Sequence, residues 1–260
     1  MKTNEQIVRA GALILAALIG AHPAIAAVSC AVLTESQSTA NASSYATASV
    51  SPAGGRLLLV IANSLRGGTT CTDSDLSSVT GNGLTWVNVG NKQCYSDAGT
   101  PSHTLEIWRS MGASPSSGAI TLDYGGNSQL SAAWAVVECD GVNTEGLNGA
   151  GAVVQSAGAK TEPGTSVNAT LAAFGSAGNA TLAAFGLSDN IAATVEGSFT
   201  QLADERVSDG GNDHALHVSF LASEDTSPSA SFTSIDAATV AIEITAAVPT
   251  DAGGGALWFP

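Results

Sequence analysis

Basic residues are scarce in this chain: 8 Lys and Arg stand against 22 Asp and Glu, a formal net charge of −14. Nucleic-acid affinity comes mainly from Lys and Arg clustered against phosphates, so nucleic acid is excluded as a partner, and an anionic membrane surface is disfavoured for the same reason. Charged residues of both signs make up only 12% of the sequence, about half the usual share of roughly 25%. Aromatic residues are 5%, thin for a protein that stacks on sugar rings. Long apolar runs are missing too: the stretch 10–20 falls short of the ~20 residues a helix needs to cross a bilayer. No Gly-x-Ser-x-Gly elbow, phosphate loop or dinucleotide fingerprint occurs. No two cysteines stand in a Cys-x-x-Cys pair and the histidines are remote from them, so no metal centre is expected.

What is present is small and apolar. Hydrophobic residues make up 44%, enough for a core and too many for a disordered chain. Residues 1–26 read as a secretory signal peptide: Lys2 and Arg9 give a positive start, 10–20 a short apolar run, and Ala24-Ile25-Ala26 a small-x-small cleavage pattern. The expected organisation is a signal peptide at 1–26, a β-sandwich domain at 27–248 and a flexible Gly-rich tail with an aromatic end at 249–260. The expected location is secreted, extracellular or at the cell surface, with no membrane insertion of the mature chain. Export would make disulfides the default for the four cysteines. Three connectivities exist and the sequence alone does not choose among them. Cys71 and Cys94 flank the 84–89 strand and are expected to pair, leaving Cys30 for Cys139.

The stretch 83–141 carries three of the four tryptophans and shows a clear period of two. Leu105 and Ile107 oppose Glu106 and Trp108; Ile120, Leu122 and Tyr124 oppose Thr121 and Asp123. Residues 132–137 are apolar at every position, as a strand covered on both faces requires. We read this stretch as four strands of an antiparallel meander. Residues 56–62 (RLLLVIA) form a second central strand, and 64–82 a long polar connection. The sequence Asn-Ala-Thr-Leu-Ala-Ala-Phe occurs at 168–174 and again at 179–185, with the second copy a strand and the first a strand or its lead-in. Residues 198–206 and 214–222 form a hairpin, and 238–245 closes the domain with Glu243 opposite Val240, Ile242 and Ile244. The fold class is all-β, an antiparallel β-sandwich, jelly-roll-like.

Glu106 and Glu138 are the candidate catalytic carboxylates, read as lying on neighbouring strands. A glycosidase needs two carboxyls about 5–5.5 Å apart to retain configuration and about 6.5–9.5 Å to invert it. The structural alternative pairs Glu106 with Arg109 or with solvent, and has Glu138 end a buried strand near the surface. His214 and His217, three apart on a strand, face opposite ways and cannot share a metal. Asp73 with Asp75, and Asp209 with Asp213, leave weak Ca2+ binding open, although acidic turns are the better account of both; no other cofactor is expected. Trp108 faces either a second layer or solvent and is the candidate ligand-binding residue for a glycan. Leu257, Trp258 and Phe259, beyond a glycine spacer, are candidates for assembly.

Three segments, 83–86 (GLTW), 106–109 (EIWR) and 137–144 (VECDGVNT), with Ala172-Ala173-Phe174, 199–202 and 240–243 later, resemble a loosely defined group of uncharacterised bacterial and phage-associated extracellular β-sandwich domains. The resemblance implies a fold and no catalytic residues. The functional expectation is therefore a secreted, non-enzymatic structural or adhesive protein of the cell exterior. It would self-assemble through strand or tail exchange into a homo-oligomer or filament. The alternatives are a carbohydrate-binding module and, behind it, a glycoside-active enzyme.

Overall fold

Leu57-Leu58-Leu59-Val60-Ile61-Ala62 is apolar at every position because it is covered on both faces. The computed structural model describes residues 27–68, 74–96 and 102–248, and within them the chain forms sixteen strands and no helix. The central sheet has the order β1 (Ser29–Ser38), β10 (Ser131–Asp140), β3 (Leu57–Arg66), β8 (Ser102–Ser110), β6 (Val87–Asn88), with β7 (Gln93–Ser96) also on β8. A small sheet, β2 (Ser44–Ala46), β9 (Ile120–Asp123), β4 (Ser78–Gly81), β5 (Leu84–Thr85), lies on one side. A large sheet lies on the other: β11 (Val153–Asn168), β16 (Ser229–Ile244), β12 (Ala180–Leu187), β15 (His214–Leu221), β14 (Thr200–Val207), with β13 (Thr194–Val195) on β16.

Side-chain alternation sorts β3 between the two interfaces. Leu57, Leu59 and Ile61 pack with Leu182, Leu216, Val218, Val240 and Ile242 of the large sheet. Leu58, Val60 and Ala62 pack with Tyr45, Val79, Ile120 and Leu122 of the small one. β10 divides in the same way, Ala133, Ala135 and Val137 against Trp134 and Val136. Each fully buried Leu or Ile contributes about 1.5–3 kcal/mol. The outer face of the large sheet is covered as well: Val167, Ala169 and Leu171 close over Ala183, Phe185 and Ala241.

The fold is thus an all-β antiparallel sandwich, with its layers interleaved along the first half of the chain. β1, β3, β6, β8 and β10 belong to the central sheet while β2, β4, β5 and β9 return to the small one. This corrects the meander. β8 and β10 are separated by β3, and β9 sits in another layer. The physical reason is one-sidedness: Ile120 and Leu122 are buried while Thr121 and Asp123 are half-exposed, so that strand fits an outer layer and not a central one. The 84–89 strand also divides, into β5 and β6 in different sheets, with the chain crossing layers at Trp86. β11, for which no strand is expected from the sequence, is a sixteen-residue edge strand. Its apolar content is low because one edge and much of one face meet water.

Cys30 and Cys139 stand opposite each other in the β1–β10 register and are disulfide-bonded, with Cα atoms 4.1 Å apart. Cys94, on β7, is disulfide-bonded too; Cys71 lies outside the described residues, as do the signal peptide and Leu257, Trp258 and Phe259. All sixteen strands fall in one compact unit, Ala26–Ala247; of the second unit, Met1–Ile25 with Val248–Pro260, only Val248 is described.

Candidate functional site

Glu106 and Glu138 face the same side of the central sheet but do not meet. Glu106 stands opposite Ala62 and Glu138 opposite Leu58 on the intervening β3. Four residues along a strand and two strand spacings across place their Cα atoms roughly 16 Å apart. Their carboxylates are bound to different partners, Glu106 at Leu76 and Asn88 and Glu138 at Ala53 and Arg56, so the two do not form a pair. Glu106 does not pair with Arg109 either, since positions three apart on a strand face opposite ways.

Each glutamate instead pins a loop. Glu106, 1% exposed, accepts from the Leu76 backbone N–H at 2.7 Å, from Asn88 Nδ2 at 2.9 Å and from Trp108 Nε1 at 2.8 Å. Glu138 accepts from the Ala53 N–H at 2.7 Å and from Arg56 Nη1 at 3.0 Å, and Arg56 reaches on to Asp140 at 3.1 Å. Glu243, 2% exposed on the outer face of the large sheet, accepts from the Gly175 N–H at 3.2 Å and from Asn179 and Gln155 side chains. Burial pushes the Glu106 carboxyl up to about 7, against the opposing pull of the Leu76 and Trp108 hydrogen bonds. A raised carboxyl often marks an acid–base site. Here the group is sealed between two sheets, and the donors around it are those that hold a loop.

Trp108 is half-buried and packs with the small-sheet core, its indole N–H committed to Glu106. It therefore faces a second layer. Trp86 and Trp134 are core, 7% and 4% exposed. His214 points between the central and large sheets on the side of Leu216 and Val218, while His217 lies on the opposite face beside Phe185, buried and bonded to Ser219 at 3.0 Å. Asp209 and Asp213 build a turn, with the Asp209 N–H donating to Asp213 at 2.8 Å. Asp75 pairs with Lys92, and Asp73 lies outside the described residues. Among the described residues no group of three His, Cys, Asp or Glu side chains could hold a metal ion.

Two features were not singled out from the sequence. The first is a buried polar seam between the central and large sheets. Tyr95 stacks on His103 with ring centroids 5.0 Å apart, and His103 meets His214 edge-on at 5.9 Å. Tyr95 donates to Asn63, which donates in turn to the Ala215 carbonyl. Both ring nitrogens of His103 and Nε2 of His214 lack hydrogen-bond partners. Burial lowers both histidines, His214 to about 4, and the neighbouring imidazole lowers His103 further. A pocket of about 230 Å³, lined by His103, Ser188, Asp189, Asn212 and Asp213 among others, opens at this end.

The second feature is a groove of about 300 Å³ at the edge where the central sheet meets β11. It is lined by Asn88, Val89, Asn91, Arg109, Val153, Val154, Gln155 and Ser156. No signal in the sequence joins these residues, which come from three separate segments. Fold and sites together define a layered all-β sandwich with a sealed carboxylate and one amide-rich surface groove. The chain matches no protein-family model, no curated protein and no solved structure.

Proposed function

We propose that the protein is a secreted, non-enzymatic structural or adhesive component of the cell exterior that associates with copies of itself. The observation that carries this reading is the use made of the strand glutamates. Glu106, Glu138 and Glu243 each take a backbone N–H from a loop lying over a sheet. The acids that would serve chemistry are spent on holding the layers shut. The Cys30–Cys139 bridge supports the same reading, since it staples edge strand β1 to β10 across 109 residues of sequence. It also narrows the route of assembly. A stapled β1 cannot be donated to a neighbour, and the β11 edge carries Lys160, Pro163 and register shifts of the kind that discourage strand addition. The segment we assign to addition onto a neighbouring copy is 253–260, with Leu257, Trp258 and Phe259.

The test is size-exclusion chromatography and electron microscopy of the secreted protein with and without residues 253–260. Assemblies that dissolve to monomer on truncation are expected; monomer from both proteins overturns the assembly claim. A carbohydrate-binding module is the second reading, and the groove beside Arg109 favours it. Trp108, committed to Glu106 under the small sheet, is not its platform.

A further inference from the structure

In a chain with 14 more acids than bases, a cation held without an acid is the exception. Arg56, Lys92, Lys160 and Arg206 each bond a carboxylate. Arg109, half-buried in the groove, bonds two backbone carbonyls through Nη1, Leu147 O at 3.3 Å and Asn148 O at 2.5 Å. Carbonyls fix the direction of a guanidinium but leave its charge uncancelled, and among the described residues no hydrogen bond or ion pair takes Nε or Nη2. The Nε–Nη2 edge is the planar fork that matches a carboxylate.

The surroundings are built around it. Asn148, whose carbonyl orients Arg109, has a left-handed backbone (φ 54°), and Asn91 on the opposite wall has φ 56°. Such conformations are uncommon outside glycine. Asn91 is held by its side-chain amide on the Ser156 carbonyl and hydroxyl, at 2.8 and 2.9 Å. Three valines join the polar side chains in the lining: Val89 and Val153, whose other side packs on the core, and Val154, 54% exposed, while Leu147, 83% exposed, stands at the loop that holds the guanidinium.

The geometry points to a carboxylate-bearing sugar, a uronic-acid unit of an acidic polysaccharide, bound with its carboxylate on Arg109 and its ring along Val153 and Val154. Alternating amide and aliphatic surface suits a ring whose O–H and C–H groups alternate. The volume, at the lower end of the roughly 300–1,000 Å³ of small-molecule sites, suits a short saccharide better than a protein surface. This inference rests on the adhesive half of the reading above. Binding is measured on the purified protein, whereas export and assembly are scored separately, so either can fail alone.

The experiment is calorimetric titration of the disulfide-intact protein with a galacturonate trimer, its methyl ester, a neutral galactose trimer and a Glu-rich peptide. The acidic trimer is expected to bind, and the ester, the neutral sugar and the peptide at least about tenfold more weakly. Arg109→Gln is expected to lose about tenfold or more, and Arg109→Lys, which keeps the charge but not the fork, somewhat less. If Arg109→Gln does not fold, the acid-against-ester comparison on the unaltered protein decides alone. No binding of the acid at millimolar concentration, equal binding of acid and ester, equal binding of the peptide, or a folded Arg109→Gln that binds unchanged would each overturn the proposal.

Discussion

Glu106 shows how one side chain can look catalytic in sequence and act as a brace in the fold. Its three contacts are all donors, so Glu106→Gln would turn an amide NH2 toward an N–H and leave at least one buried donor without a partner. A loss of about 1–3 kcal/mol is expected, read as a lower urea midpoint with unchanged slope. His103 makes the opposite case. It stacks on Tyr95 while both of its nitrogens lack partners in the buried interface. His103→Phe keeps the stacked ring and removes two unpaired polar atoms, so we expect a gain of up to about 1–3 kcal/mol at neutral pH; a destabilised variant would mean that those nitrogens are bonded in solution. The Trp108–Glu106 contact was legible from the sequence, because a period of two puts them on one face. Leu76 and Asn88 as partners of Glu106 were not, since loop return is invisible to local periodicity. Arg109 was legible only as a neighbour in sequence, and its groove comes from segments brought together by the stacking of sheets.

At the scale of the strands, unbroken apolar runs were enough to find β3 and β10 and alternation to find β8 and β15, and the β14–β15 hairpin pairs as expected. What alternation does not carry is sheet membership. A strand apolar on both faces belongs in the middle of something, but its neighbours are chosen by chain crossings that leave no local mark. β3 thus lies between β8 and β10, although it precedes them by dozens of residues. β11 was missed because Ala, Gly, Ser and Thr give no period; its pairing with β16 supplies the order that its side chains do not. β1 is the strand whose place depends most on a covalent bond. It is an edge strand with no fully buried residue, so much of its attachment is the Cys30–Cys139 bridge. Closing a loop of ~100 residues is worth up to about 4.7 kcal/mol by chain entropy, with about 2–4 typical. Replacing both cysteines by serine should cost an amount in that range. Hydrogen exchange should then show the β1 amides as the first of the central sheet to lose protection; uniform loss across the sheet would contradict this.

For the whole molecule the buried titratable groups set a stability profile in which two effects oppose. His214 falls from its ordinary 6.5 to about 4 on folding. Its neutral form is favoured by the fold, so its contribution is present above pH 6.5 and is lost as pH falls toward 4, a span of ~3 kcal/mol. His103 and His217, also lowered by burial, act in the same direction. Glu106 rises from 4.5 to about 7, so its contribution is present below pH 4.5 and is lost as pH climbs through 7, a similar span of opposite sign. Between pH 4.5 and 6.5 Glu106 therefore offsets about one histidine, and the remaining two leave a net loss of stability on acidification. Asp189 and Asp213 line the pocket beside His103, and Asp213 and the Asn212 carbonyl temper the effect at His214 without reversing it. Melting temperature measured from pH 7.5 to 4.5 should fall for the native chain. It should fall more steeply for Glu106→Gln, which has lost the offset, and less steeply for His103→Phe. If the Glu106→Gln profile runs parallel to the native one, the carboxyl is ionised throughout that range and the sealed interface is wetter than its geometry requires.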